Sequence, residues 1–548
     1  MLRARLSEDV HIEDEVVARE VDRILGRATS AGLRGDQRPL AEVINDTIYH
    51  ERRRLQHAKD DDRARSDRAF HARVRHELPH ATAGRQKALV REIVERYAGE
   101  IAGHFDPRVY RFATTVLPYG LSGLMQGFSP RGLLNELRGA SRLDDHLLLE
   151  GEVKGLQRLT TLGTVILVPT HSSNLDSLLI GYSIYRMALP PFVYGAGLNL
   201  FTNPLTSFFM HNLGAYTVDR SKTDPLYRET LKEYATASLE LGQHNLFFPG
   251  GTRSRSGEIE TKLKLGLIGA GLSAFRNNLL RGVEPRPNVF IVPCTISYPL
   301  VLEGASLIRH FLEETGKAEY IVVDDEFSRI QRWVDFLRGL AALDLRVHVR
   351  IGRALDPFGD DVDEHGVSRD PRGREVDPRR YLLRDGRVVA DAARDAEYTR
   401  ALGARITASF RRDNVAMPTN VLAFALLELL RRDLAQPDLF RMLRTIGPDT
   451  PLDVARVEAE VEKLVTELRA LEHEGRIRMS DELRTTDGRD IVARGLRGLR
   501  TYHTTPIAAR RGTQLLVQDA DLLFYYRNRL EGYGLLGAPR LYPARACS

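Results

Sequence analysis

"TVILVPTHSSNLDSLL", residues 164–179, joins an unbroken apolar run to a segment of helical pattern, and its reading decides the fold. A short aliphatic, β-branched run with no polar interruption reads as a buried strand. His171 and Asp176 follow it directly, and "NLDSLLIGYSIYR" continues as a helix-like stretch. A histidine in that place can take a proton from a substrate hydroxyl while a carboxylate fixes its tautomer. Equally, His171, Ser172 and Ser173 can do no more than cap the helix. Spacing alone does not choose, because H-x-x-x-x-D occurs three times, also at His57–Asp62 and His365–Asp370. Only His171 stands between a strand and a helix, beyond the carboxyl end of a strand, where ligands of open α/β sheets bind.

The same grammar extends along the middle of the chain. "PFVYG" (191–195), "AYTV" (215–218), "NLFFP" (245–249), "VFIVPCTISY" (289–298) and "RVHVRIG" (346–352) are β-rich runs. Amphipathic stretches such as "DPLYRETLKEYATASLELG" (224–242) separate most of them. Strands alternating with helices predict an α/β fold, a mixed, largely parallel sheet with flanking helices, over 145–358. Residues 1–144 read as a helical region whose charged face meets solvent. Residues 359–395 are polar and turn-rich, a surface insertion or linker, and 396–548 are mainly helical, as in "NVLAFALLELLRRD" (420–433).

The chain as a whole narrows the class without naming it. At 548 residues it exceeds one core. Its 79 basic and 74 acidic residues nearly cancel, a mild excess that attracts anions in general and selects none. Two cysteines, Cys294 and Cys547, make neither a disulfide framework nor a thiolate zinc site, which favours a reducing compartment. The start lacks the apolar run of a signal peptide, and no His/Asp/Glu cluster suggests a metal. Two uncharged stretches, "FATTVLPYGLSGLMQGFSP" (112–130) and "MALPPFVYGAGLNLFTNPLTSFFM" (187–210), are broken by Pro and Gly. They suit interfacial or pocket-lining segments, or ordinary core loops, better than spanning helices.

A second chemistry-bearing stretch strengthens the first. "FFPGGTRSRSG" (247–257) follows another apolar strand, with glycines that admit a ligand and with Arg253 and Arg255 flanked by hydroxyls. Guanidiniums present donors shaped for phosphate. Together with His171–Asp176, "GAYTVDR" (214–220, ending in Arg220), "GGTRSRSG" (250–257) and "IVPCTISY" (291–298, around Pro293), it makes four ordered blocks. In order and spacing these resemble the glycerol-phosphate acyltransferase family. "KLG" (264–266) and "LLFYYRNRLEGYG" (522–534) are similar to stretches of its bacterial glycerol-3-phosphate members. The likeness is strong in the middle, loose at the C-terminal end, and in the first hundred residues limited to helical character. One departure stands out: Gly250 occupies a place where many members carry glutamate.

The resemblance implies an acyltransferase catalytic domain over 145–358 and a reaction that needs no cofactor and no metal. His171 would be the general base and Asp176 its orienting carboxylate. Arg220, Arg253 and Arg255 would clamp the acceptor phosphate, with Gly251, Thr252, Ser254, Lys264 and Pro293 completing the binding set. Implied partners are an acyl-CoA or acyl carrier protein donor, glycerol 3-phosphate acylated at its sn-1 hydroxyl, and an anionic membrane surface. The implied location is the cytoplasmic face of the cell membrane, peripherally bound. Lysophosphatidate and dihydroxyacetone phosphate are alternative acceptors. No nucleic acid is expected, although "VEKLVTELRALEHEGRIRMSDE" (461–482) and the basic "RGLRGLRTYHTTPIAARRG" (496–512) have the pattern of a winged helix. "GAGLSA" (269–274) fits G-x-G-x-x-A but reads as tight packing, since no clear strand precedes it and no acidic residue follows at the right distance. No G-x-S-x-G elbow is present.

Overall fold

A computed structural model describes residues 39–58, 60–103, 146–198, 212–282, 287–316, 346–435, 438–500 and 505–542, with isolated positions at 18, 19, 22, 23, 26, 106, 108, 109 and 503. The stretch 112–130 and the second half of 187–210 therefore lie outside the described residues.

The central sheet grows from the run that opens the argument. Strand β2 (Thr164–Pro169) is buried at every position and lies parallel to β6 (Val289–Ser297), which is buried throughout its length. On its other side β2 pairs parallel with β5 (Asn245–Leu246), then come β3 (Val193–Gly197) and β4 (Ala215–Val218), all parallel. Beyond β6 the sheet turns antiparallel, through β7 (Val347–Ile351) and β8 (Ala354–Leu355), and β7 carries β1 (Leu147–Gly151) parallel on its far side. The fold is thus mixed α/β. Proline lacks a backbone donor and is rare inside a sheet. Pro293 fits because β6 changes partner there: Ile291 pairs with β8, Cys294 with β7, and the Pro293 carbonyl accepts the Gly352 amide at 2.8 Å. The polar segment expected as an insertion or linker contributes short antiparallel strands at 361–362, 368–369 and 375–376 that extend the β8 edge.

Helices cover the faces of the sheet. The first four within the α/β unit are α4 (Val153–Leu162), α5 (Asp176–Arg186), α6 (Pro225–Glu240) and α7 (Leu265–Leu280). α8 (Gly304–Gly316) follows β6. "GAGLSA" lies inside α7, so it forms no phosphate loop. A Cβ on Gly271 would come within 2.9 Å of Ile166 Cδ1, which is the tight packing its small residues allow. Before the sheet, α1 (Leu40–Gln56), α2 (Asp62–Glu77) and α3 (Ala83–Ile101) form a bundle. Its apolar side, including Ile44, Leu89, Ile93 and Tyr97, shares a core with Tyr216, Leu226, Tyr227 and Tyr234 of the α/β unit.

After the sheet, α9 (Ala392–Asp413) leads to α10 (Pro418–Leu434), which is buried along most of its length. Around α10 stand α11 (Val454–His473) and α12 (Gly488–Leu499). A three-stranded antiparallel sheet of β9 (Thr450–Asp453), β11 (Gln514–Val517) and β10 (Ala508–Arg511) joins them. The stretch 461–482, read from the sequence as a helix leading into a wing, gives most of α11 and then Arg478–Met479, which pairs parallel with Val415–Ala416 and not with this sheet. The last helix, α13 (Ala520–Arg527), returns to the α/β unit.

That return is close. Gly257 has φ +82°, and a Cβ on it would collide with the main-chain carbonyl oxygen of Tyr525. Gly242, at φ +83°, has nothing within 4 Å of its Cβ position. A left-handed non-glycine residue costs about 1–3 kcal/mol by itself. Gly257→Ala is therefore expected to lower the thermal unfolding midpoint distinctly more than Gly242→Ala, and equal losses would show that the C-terminal segment does not press on this loop.

Candidate active site

The strand-to-helix junction after β2 builds the site around a buried carboxylate. Asp176 opens α5, is fully buried, and accepts from His171 Nδ1 at 2.8 Å, from the Ser172 and Ser173 amides at 2.7 and 2.9 Å, and from the Tyr298 hydroxyl at 2.6 Å. Because a carboxylate has no proton to give, Nδ1 carries the hydrogen and Nε2 keeps its lone pair. Nε2 makes no hydrogen bond among the described residues, and the imidazole stacks on Phe248 with centroids 4.2 Å apart. Burial first, and then the Asp176 charge, push the Tyr298 phenol well up, so it remains a donor to the carboxylate. The other two H-x-x-x-x-D histidines lie elsewhere: His57 is exposed at the end of α1, and His365 is exposed in a turn beside Glu364.

The loop 249–264 wraps the His171 peptide from both sides. The Ser254 amide donates to the His171 carbonyl at 2.8 Å, and the His171 amide donates to Glu260 Oε1 at 2.6 Å. Gly251, at φ +75°, makes the turn that only glycine adopts without strain, and the Lys264 stem packs beneath it. The Lys264 amide closes the loop on the Pro249 carbonyl at 2.7 Å. Ser254 turns its hydroxyl to the Glu258 carbonyl at 2.7 Å, while Thr252 is exposed.

The three arginines expected to form one clamp take different places. Arg253 lies 3.4 Å from Glu303, a buried residue that also receives the Ser173 hydroxyl and the Asn174 amide, both at 2.9 Å. That bridge locks the arginine to the loop that carries His171. Arg220 makes no hydrogen bond or ion pair among the described residues. Packing first, and then the nearby Arg253 charge, lower its pKa, although part of the side chain is exposed. Arg255 instead pairs with Glu314 on α8. Pro293 sits inside the sheet in register with Val168, so it shapes the strand beneath the site.

Flanking regions hold these loops. Lys222, two positions after Arg220, is buried, donates to Glu100 at 2.6 Å and lies 4.5 Å from the Tyr97 ring centroid, both on α3. At the other end, Asn528 donates to the Ser256 carbonyl at 2.9 Å. The buried Arg529 binds Asn414 at 2.6 Å, the Ile296 carbonyl at 2.7 Å and Ser172 at 3.4 Å. The turn after α13 is thus packed into the site. Sequence reasoning did not single out Tyr298, Glu260, Glu303 or Arg529. Tyr298 and Arg529 stood inside quoted blocks as signals unused, whereas Glu260 and Glu303 carry no local pattern. Among the described residues, no group of three or more His, Cys, Asp or Glu is arranged to hold a metal ion.

A histidine paired with a buried carboxylate, with two arginines on neighbouring loops, is an arrangement suited to proton abstraction next to an anionic group. Residues 150–297, most of the α/β unit, match the family model described as Acyltransferase. Relatives are similar beyond that domain. The glycerol-3-phosphate acyltransferase of Pseudomonas syringae pv. syringae (strain B728a) is 25% identical over 448 residues, which is 80% of this chain and 44% of the relative. That of Pseudomonas aeruginosa (strain LESB58) is 27% identical over 357 residues, 64% of this chain and 36% of the relative. The chain therefore spans less than half the length of these curated relatives.

Enclosure pushes the Glu260 carboxyl up from 4.5 to about 8, against the opposing His171 amide and Arg529 charge and with help from Asp176. A carboxyl with a raised native pKa binds its proton more tightly folded than unfolded. Its stabilising contribution is complete below about 4.5 and lost as pH rises to about 8. The difference in unfolding midpoint between the native protein and Glu260→Gln should accordingly fall between pH 5 and 8 and level off above it. A difference that does not change with pH would contradict this.

Proposed function

We propose that the protein transfers a fatty acyl group from a thioester, acyl-CoA or acyl carrier protein, to the sn-1 hydroxyl of glycerol 3-phosphate. The observation that carries the reading is the His171 imidazole, held at Nδ1 by the buried Asp176, with Nε2 making no hydrogen bond among the described residues. In the reaction the acceptor hydroxyl gives its proton to Nε2 as its oxygen attacks the thioester carbonyl. The C–S bond then breaks, and the leaving thiolate takes the proton back. Asp176 stabilises the imidazolium between those steps, and general-base catalysis of this kind supplies roughly 10²–10⁴-fold. Arg220 and Arg253 bind the acceptor phosphate, with Lys264 and Thr252 at the rim. The relatives named for glycerol 3-phosphate support that acceptor over lysophosphatidate or dihydroxyacetone phosphate. An acyl-transfer assay across these three acceptors tests the choice directly.

His171→Ala is expected to abolish transfer while the protein still folds, with a lowered unfolding midpoint because the buried Asp176 loses a donor, whereas His57→Ala and His365→Ala keep full activity. Retained transfer by His171→Ala would remove it from the mechanism. For the phosphate, loss of one charged partner costs about 1.5–3 kcal/mol, so Arg253→Ala and Arg220→Ala should each raise the acceptor KM by roughly 10–100-fold. Arg255→Ala, engaged with Glu314, should raise it less. Equal rises in donor KM would mean that these arginines serve the other substrate.

The proposal extends to a peripheral position on the cytoplasmic face of the cell membrane. Among the described residues, no helix is long and apolar enough to cross a membrane. The product of the proposed reaction belongs in a bilayer, and the uncharged stretches 112–130 and 187–210 are apolar enough for an interface. Binding to vesicles containing anionic lipid, weakened by high salt, is the expected outcome. Sedimentation with no vesicle-bound fraction at low salt would reject it.

A further inference from the structure

The third block departs from its family pattern at one position, and the structure places a carboxyl group against that same position. Gly250 carries no side chain, and a Cβ built on it would lie 3.0 Å from Glu260 Oε1, 3.1 Å from its Cγ and 3.4 Å from its Cδ. The space that a side chain at 250 would enter is therefore occupied by the carboxyl of residue 260. The same Oε1 accepts the His171 amide at 2.6 Å. Glu260 also interacts electrostatically with Arg529 and Asp176, which bind the Ser172 hydroxyl and the His171 ring, respectively. One carboxyl group thus touches the main chain of the histidine and borders the glycine.

We infer that Glu260 is a positioning residue that supplies, from the far limb of the loop, the carboxyl group that the third block lacks at 250, and that it holds the His171 peptide in its working place. This rests on the acyl-transfer reading only for its catalytic readout. With the Ser254 amide on its carbonyl and Glu260 on its amide, the His171 peptide is fixed at both polar groups. Losing one of them frees the base to shift, and a misplacement of about 1 Å can cost about 10²-fold in rate. A side chain at 250 would crowd Glu260, whose Oε1 lies 3.0 Å from the Cβ position. A glutamate at 250 beside Glu260 forces two carboxyl groups into one space, whereas a glutamate at 250 with alanine at 260 has room.

The test is a cycle of Glu260→Ala, Gly250→Glu, the double variant Gly250→Glu/Glu260→Ala, and Glu260→Gln as the conservative control. Two readouts are taken on the full chain: kcat and KM for acyl transfer, and hydrogen exchange at the His171 amide. Glu260→Ala should lower kcat by about 10–100-fold with little change in donor KM, and should speed exchange at the His171 amide. Gly250→Glu alone should also lose activity. The double variant should recover at least tenfold in kcat over Glu260→Ala and restore slow exchange. Glu260→Gln keeps an oxygen acceptor and should fall between the native protein and Glu260→Ala. A residue needed only for folding would give no recovery in the double variant. The inference is overturned by unchanged His171 exchange in Glu260→Ala, or by a double variant no better than the single ones. Should the native chain acylate none of the phosphorylated acceptors, the acyl-transfer reading fails, and the exchange readout still decides the role of Glu260.

Discussion

The Asp176 carboxylate is out of reach of water, and burying a charge costs several kcal/mol unless donors replace the lost hydration. Its donors are His171, two amides of its own loop and the Tyr298 hydroxyl, the last 122 positions away in the chain. That requirement brings the ends of β2 and β6 together and fixes the rotamer of the histidine. It also selects the tautomer, so the constraint that makes the fold expensive to disturb is the one that prepares a base. Tyr298 closes the fourth contact and needs its proton to do so, which burial secures.

Around that carboxylate the loops are joined largely by enclosed glutamates that accept main-chain amides. Ser254 and Glu260 take the two polar groups of the His171 peptide, and Glu303 ties Arg253 to the Ser173 and Asn174 positions. Bonds of this kind tolerate changes of residue identity so long as an acceptor of the right reach arrives. With glycine at 250, the Glu260 carboxyl still borders that position.

The helical flanks act as scaffolding for the two sides of the site. Lys222 is drawn into α3 by Glu100 and the Tyr97 ring, which sets the direction of the loop bearing Arg220. Arg529 and Asn528 do the corresponding work from the C-terminal side. Gly257 allows that approach because no Cβ stands between the loop and the Tyr525 carbonyl.

Much of the framework was legible because it rests on local physics. The runs at 164–169 and 215–218 became strands with those limits, and 289–298 and 346–352 lost only end residues. "NLFFP" shrank to Asn245–Leu246, since the chain leaves the sheet there to make the glycine turn. The pairing of His171 with Asp176, and its distinction from two identical spacings, also followed from local context, because a strand end and a helix start are properties of neighbouring residues. What the sequence could not decide was which long side chains meet. Arg253 and Arg255 differ by two positions and look alike in the chain, yet one meets Glu303 by the histidine loop and the other Glu314 on α8. Tyr298, Glu260 and Arg529 reach the site from separate segments, by contacts that no periodicity encodes. By itself the sequence determined the order of strands and helices and the residue pair at their junction, since both are set by near neighbours. Only the tertiary structure decided which distant groups satisfy the buried charges, since that depends on how the segments pack.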